Sequence, residues 1–324
     1  MILRGFVLVK NEGLYFSLAT MFLWGCNIVF SRHAIVNLGA HPYLFSTIVM
    51  FVGSMVLLLI AGKGAKADDS VKHPMTWFYS SLQILLNIGT LTALLYVTST
   101  QSMLLQRSNI ILGLLIGLCL LNKKMSKNDW VGCFMIFGGV SLLLSTLEFK
   151  QAVSGMSAVL FAAICHVART IIAEHHPVAK KADTFSEYCR VLAYILLVTS
   201  ATFLLFAFAV GFINSVDEII QTFSFLPSIN DMLTQDQLIF ATGMGIFIMP
   251  LAMYCFFYGA QKAGMANFLI YTAYLPVVTF ILESIADAFG ILEVPVLTYK
   301  DGLSALAIMG GAFYISYYRS KIEK

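Results

Sequence analysis

Long apolar runs alternate along this chain with short polar loops, and most of the runs are close to twenty residues. A hydrocarbon core of roughly 30 Å takes about 20 residues of helix to cross. Ten runs read as crossings: Leu14–Val36, Pro42–Gly62, Thr76–Val97, Thr100–Leu121, Trp130–Leu147, Ala152–Ala173, Ser186–Phe212, Leu238–Ala260, Ala266–Phe289 and Gly302–Tyr318. Lipid cannot hydrogen-bond a backbone, so runs of this kind must be helices. The expected fold class is an all-α polytopic membrane protein.

Composition agrees with that reading. The chain is 59% hydrophobic and 11% charged, with a mean hydropathy of +0.84; a soluble domain carries about 25% charge. No separate soluble domain is expected. The longest stretch between runs, Asn214–Gln237, has room for a short interfacial helix. No cleavable signal peptide is read at the start, because the first run is too long for a signal core and no small-residue cleavage site follows it. Cys26, Cys119, Cys133, Cys165, Cys189 and Cys255 all lie within or at the ends of apolar runs, and no CxxC occurs. Neither a disulfide framework nor a metal site is expected from them.

The loop charges give an orientation. With the N-terminus in the cytoplasm, that side holds Arg4, Lys10, Lys63, Lys66, Lys72, Lys123, Lys124, Lys127, Lys180, Lys181, Lys262, Arg319, Lys321 and Lys324. The other side holds Lys150 and Lys300, with Arg32 near the end of the first run. The positive-inside rule then places both termini in the cytoplasm, and the inner (cytoplasmic) membrane is the expected location. These positions account for the net charge of +3 without a nucleic-acid partner.

The chain also carries a weak internal repeat. Asp129-Trp130-Val131-Gly132 with Ile136 and Gly138-Gly139 matches Asp301-Gly302-Leu303-Ser304 with Ile308 and Gly310-Gly311, without a gap. Tyr96 and Met103 match Tyr258 and Met265 at one offset; Phe22, Cys26 and Asn27 match Phe161, Cys165 and His166 at another. Two five-span halves, 1–150 and 151–324, follow from this order, the second carrying the longer loop at 214–237. An odd number of spans per copy inverts the second copy in the membrane, a construction that puts substrate sites near the midplane. The glycine pairs themselves need be no more than close helix contacts.

Several of these segments resemble one family. Leu23-Trp24-Gly25-Cys26-Asn27-Ile28-Val29-Phe30-Ser31-Arg32 is similar to the opening span of the EamA-like transporters of the drug/metabolite transporter superfamily. Asn122–Gly132 leading to Gly138-Gly139-Val140, and Tyr258-Gly259-Ala260 followed by Pro276-Val277, resemble its later spans. The family's frequent Gly-Glu before the fifth and tenth spans is absent: Leu121-Asn122 stands at the first place, and Glu293 is a loose counterpart at the second. The resemblance implies ten spans in two halves and a secondary transporter of small metabolites, often amino acids or their derivatives.

Polar groups are costly in lipid and should face the bundle interior. At about 100° per residue they sort into stripes. Ser17, Thr20, Trp24, Asn27 and Ser31 share one; Gln83, Asn87, Thr90 and Thr98 a second; Ser102, Gln106, Asn109, Gly113 and Gly117 a third; Asn267, Tyr271 and Tyr274 a fourth. Trp24, Asn27, Asn87, Asn109, Tyr271 and Tyr274 are the candidates to line a substrate cavity, the alternative being interhelical hydrogen bonds of about 1 kcal/mol or less each. Tyr258 and His166 join them as repeat positions, His166 occupying the place of Asn27.

Arg107 and Glu283 lie at similar depth and are candidates for a buried pair, or for gripping the carboxylate and amine of a zwitterion. Arg32 is the alternative partner for Glu283. Helical spacing puts Arg107 off the Gln106–Asn109 stripe and Glu283 opposite Tyr271 and Tyr274, so a structural ion pair stays open. Arg169 and Glu187 are placed to pair across helices. With Arg190 and Arg32 they are candidate gate residues, or alternatively interfacial anchors.

No HExxH, GxSxG or P-loop is present, so no catalytic residue or cofactor is expected. The expected partners are a small-molecule metabolite and the lipid bilayer. Alternating-access transport of small polar or zwitterionic metabolites is the first reading. A membrane-embedded enzyme acting on lipid-linked substrates and a non-transporting sensor or assembly protein are the alternatives.

Overall fold

A computed structural model describes residues 2–62, 64, 67–120, 125–216, 233–292 and 298–322. Lys63, Lys66, Lys123, Lys124, Lys324, Asn122, Glu293 and the 217–232 part of the expected long loop lie outside the described residues, as do the side chains of Arg4, Lys10 and Lys321. The described chain is helical: α1 Ile2–Val36, α2 Pro42–Ala61, α3 Ala67–Lys72, α4 Pro74–Ala93, α5 Ser99–Leu105, α6 Ser108–Leu120, α7 Lys127–Leu144, α8 Phe149–His175, α9 Pro177–Lys180, α10 Phe185–Val216, α11 Gln235–Phe247, α12 Met249–Ala263, α13 Met265–Tyr271, α14 Leu275–Ala288 and α15 Tyr299–Ile322. Among the described residues seven segments are long and apolar enough to cross a bilayer: Glu12–Val36, Pro42–Ala61, Ser99–Cys119, Ala152–Lys180, Phe185–Ala209, Gln235–Ala263 and Met265–Ala288. The other three expected runs fall in α4, α7 and α15. Outward-facing Phe22, Phe51, Phe134, Phe208, Phe247 and Phe313 are exposed, as lipid-facing side chains are.

Local sequence sets where the helices start. His-Pro occurs at His41-Pro42, His73-Pro74 and His176-Pro177, and each pair opens a helix. Proline sits in the first turn, where its missing N–H costs nothing. The preceding imidazole Nδ1 accepts from an orphan amide: Tyr43 N at 3.3 Å, Met75 N at 3.2 Å and Ala179 N at 3.3 Å. α5, α7 and α11 begin with reciprocal capping boxes, Thr98 with Gln101, Ser126 with Asp129 and Thr234 with Gln237. Thr298 and Asp301 exchange the same bonds at the start of α15. These boxes satisfy amides that lipid or a dry interface would leave unpaired.

Helix pairing follows a pattern. The contacts include α2 with α10, α7 with α15, α1 with α12, α4 with α8, α2 with α11, α4 with α10, α1 with α14, α6 with α8, α5 with α14 and α6 with α13. Exchange α1 with α8, α2 with α10, α4 with α11–α12, α5–α6 with α13–α14, and α7 with α15. Each pairing then maps onto itself or onto another of the set.

The α7–α15 contact is antiparallel and rests on glycine. A Cβ at Gly139 would lie 2.7 Å from Ile308 Cγ1 and 2.9 Å from the Ser304 carbonyl; one at Gly311 would lie 2.7 Å from the Gly132 carbonyl. The aspartates at the two helix starts each meet the far end of the partner helix. Arg319 Nε donates to Asp129 at 2.8 Å, and Thr146 Oγ1 donates to Asp301 at 3.2 Å. Burial raises the Asp129 pKa, but Arg319 and the Ser126 amide outweigh it and hold the carboxyl below its ordinary range.

Gly139→Leu is expected to destabilise the protein by about 1–3 kcal/mol through overpacking. Gly138, with nothing within 4 Å of a Cβ, should accept alanine with a change within about 0.5 kcal/mol. Thermal unfolding of both variants in detergent measures the difference; equal losses would remove the glycine contact from the interface.

Candidate functional site

A polar cavity lies between helices of both parts of the chain. Trp24, Asn27 and Ser31 of α1, Ser46 of α2, Gln83, Asn87 and Thr90 of α4, Gln106 after α5, and Arg169 of α8 give it hydrogen-bonding groups. Phe45 and Val49, with Met50, Met103, Met249 and Met253, give it an apolar wall. The stripes on α1 and α4 face inward together because α1 and α4 both present one polar side to the bundle and the opposite side to lipid.

Arg169 dominates the electrostatics. Its residue is only 1% exposed. The guanidinium packs against the stacked Trp24–Phe256 pair, whose ring centres are 5.3 Å apart, at 4.4 and 4.3 Å from those centres, with Tyr79 at 5.7 Å. Nη1 donates to Gln83 Oε1. Nη2 is 3.3 Å from His166 Nδ1, and the His166 ring is tilted against Trp24 with centres 5.3 Å apart. Nε has no partner among the described residues, and no described carboxylate lies within ion-pair distance of this arginine. Sequence spacing put Arg169 at a gate with Glu187; it is instead part of the cavity wall. Glu187 accepts from the Asp183 amide at 3.1 Å at the start of α10.

Two of the rods beside the cavity are broken at matching places. Seven residues of α5 lead through Gln106-Arg107 into the thirteen of α6. Seven residues of α13 lead through a 3-10 turn, Thr272–Tyr274, into the fourteen of α14. The second break has a plain cause. Pro276 has no N–H to give the carbonyl four residues earlier, which is that of Thr272. The Leu275 amide turns to that carbonyl, and Arg107 Nη1 adds a second donor at 2.7 Å. At the first break the Arg107 amide turns to Leu104 O at 3.1 Å, and Arg107 Nε donates to Met103 O at 3.1 Å. One buried side chain thus ties both breaks together.

The expected Arg107–Glu283 pair therefore does not form. Glu283, with no exposed surface, takes the alternative partner: Arg32 Nη1 at 3.1 Å. It also accepts from the Ser99 and Thr100 amides at 2.9 and 3.0 Å and from the Thr100 hydroxyl. The carboxylate sits on the N-terminus of α5, where the helix dipole and free amides favour negative charge. It closes off three helices, α1, α5 and α14, outside the cavity.

Comparison with known proteins bears on this geometry. Residues 11–145 match the model of the EamA-like transporter family. The matched residues include α1, α2, α4 and α5 with their cavity-lining side chains, so the EamA-like unit supplies most of the wall. Members of this family are membrane transporters of the drug/metabolite type. Twenty-eight solved chains are similar to this one. One of them, titled "Crystal structure of protein", matches with a TM-score of 0.65 and 15% identity over 95% of this chain and 98% of its own. At that identity the likeness is one of fold. No curated protein sequence matches the chain.

The remaining expected site residues lie in separate places. Trp24, Asn27 and Asn87 line the cavity, and His166 backs Arg169. Asn109 is fully buried in α6, away from the lining, and neither of its amide atoms has a partner among the described residues. Tyr258 stacks on Tyr254 and donates to Glu12 at 3.3 Å, beside Lys262. Tyr271 and Tyr274 are half-buried at the second break. Arg190 donates to the Ala61 carbonyl at 2.8 Å and the Gly62 carbonyl at 3.3 Å, capping the end of α2 as an anchor would. Gln83, Thr90, Ser31 and Gln106 were visible as stripe members but not singled out. The four methionines were not, since an inward methionine and a lipid-facing one look alike in an apolar run.

Arg107→Leu would take the side-chain donor from the Met103 carbonyl and leave the Thr272 carbonyl with the Leu275 amide alone, a carbonyl left unpaired costing about 1–3 kcal/mol. Adding Pro276→Ala restores an amide that reaches Thr272. The double variant should therefore regain part of the loss, while Pro276→Ala alone has a smaller effect. Thermal unfolding of the four proteins gives the coupling; simple additivity would contradict the staple.

Proposed function

We propose that this chain is a secondary transporter that carries small polar metabolites, zwitterions such as amino acids among them, across the inner membrane by alternating access. The observation that carries the reading is a hydrogen-bonding cavity enclosed by helices whose outer faces are apolar. Polar groups held inside an apolar shell are expensive and mark a pathway. The exchange pattern of the helix pairings supports two inverted five-span halves, 1–150 and 151–324, with α4, α7 and α15 completing ten spans. The matching breaks in α5–α6 and α13–α14 support it too, because discontinuous helices flank substrate sites in such repeats. Both termini and the lysine-rich loop at 123–127 would then be cytoplasmic. Trp24, Asn27, Asn87 and Arg169 are the proposed substrate contacts, with His166 positioning Arg169. Glu283 and Arg32 form a lock at the opposite end. Among the described residues no three His, Cys, Asp or Glu side chains are grouped to hold a metal.

Purified protein in liposomes, tested without ATP against labelled amino acids, organic acids, nucleosides and cationic metabolites, is expected to give saturable uptake or exchange of at least one. Binding without translocation across the whole panel would point to a sensor and end the transporter reading.

A further inference from the structure

Resting on the transporter reading, we propose that the substrate is an organic anion: a carboxylate head that docks on Arg169, and an apolar body that lies on the methionine wall. A buried charge costs several kcal/mol unless another charge or a good hydrogen-bond set offsets it. Two guanidiniums, those of Arg107 and Arg169, lie in this part of the bundle, both 2% exposed or less. Glu283 is taken up by Arg32 and α5. Neither Arg107 nor Arg169 forms an ion pair with a described carboxylate. Arg107 is spent on two backbone carbonyls.

Arg169 is different. It belongs to the cavity wall, it packs against the stacked rings of Trp24 and Phe256, and its Nε–H is unmatched among the described residues. The planar fork of N–H donors on a guanidinium matches the two oxygens of a carboxylate. The amide side chains of Asn27, Gln83 and Asn87 supply further donors around it. Among the described residues none of the lining is acidic, so a substrate amine has no ionic partner there and adds nothing that the site rewards. The other wall, Met50, Met103, Met249 and Met253 with Phe45, is apolar and adaptable. Thioether side chains repack around bodies of different shape, which suits a set of related acids more than a single one.

The test is a thermal-shift series on the purified full chain. The probes are straight, branched and phenyl monocarboxylates of three to ten carbons, each with its matched primary amide and its matched amine. At least one medium-length carboxylate is expected to raise the melting temperature in proportion to its concentration, while its amide and amine do not. Propionate, lacking an apolar body, should bind more weakly than the longer acids. Arg169→Gln should weaken the best acid by about ten- to a hundredfold, and Arg169→Lys less. The comparison among ligands on the unmutated protein stands even where a variant folds poorly. Equal shifts from amides or amines, or no shift from any carboxylate, would overturn the proposal. Uptake of cations or neutral metabolites in liposomes, alongside no carboxylate binding, would sink this inference and leave the transporter reading standing.

Discussion

Hydrocarbon gives a polar group nothing to bond to, and the arrangement of this protein follows from that constraint. Every break in a membrane-spanning helix frees backbone carbonyls that must find donors inside the bundle. Pro276 creates such a break, and a buried arginine from the other part of the chain answers it through the Thr272 carbonyl. The same logic puts Glu283 on the bare amides of α5 with Arg32 beside it. It puts Arg190 on the carbonyls that end α2. In each case a charged side chain is consumed by backbone, and the fold keeps its irregular segments without exposing them to lipid.

Arg169 stands apart from this pattern because its environment offers rings and amides rather than a carboxylate. Among the described residues it is a buried cation in the cavity wall with no carboxylate beside it. The cavity sits where α1, α2 and α4 meet α8 and α12. The Arg107 staple and the α7–α15 glycine contact join helices of 1–150 to helices of 151–324.

Much of this was legible in the chain. Twenty-residue apolar runs give the helices, because burial in lipid leaves no other structure open to them. The matched aspartates Asp129 and Asp301 both prove to be the third residue of a capped helix, and each meets the end of the partner. On the unbroken helices the stripe residues Trp24, Asn27 and Asn87 share one cavity. Periodicity failed where a helix is interrupted. Across Gln106-Arg107 the 100° count no longer holds, so neither the facing of Arg107 nor the isolation of Asn109 was readable. Helical spacing alone does not choose between Glu187 and the cavity for Arg169, and the fold puts it in the cavity wall. The methionine wall left no trace in a sequence where apolar residues are everywhere.

The central claim is that a water-accessible polar cavity runs between α1, α2 and α4 while their opposite faces meet lipid. Single cysteines at Asn87 and Phe51, in a background lacking the six native cysteines, test it directly in native membranes. Asn87 lines the cavity, and Phe51 is 45% exposed on the outer side of α2. A charged, water-soluble thiol reagent is expected to modify cysteine at Asn87 and to leave cysteine at Phe51 unmodified. Reaction at Phe51, with Asn87 protected under all conditions, would contradict the account.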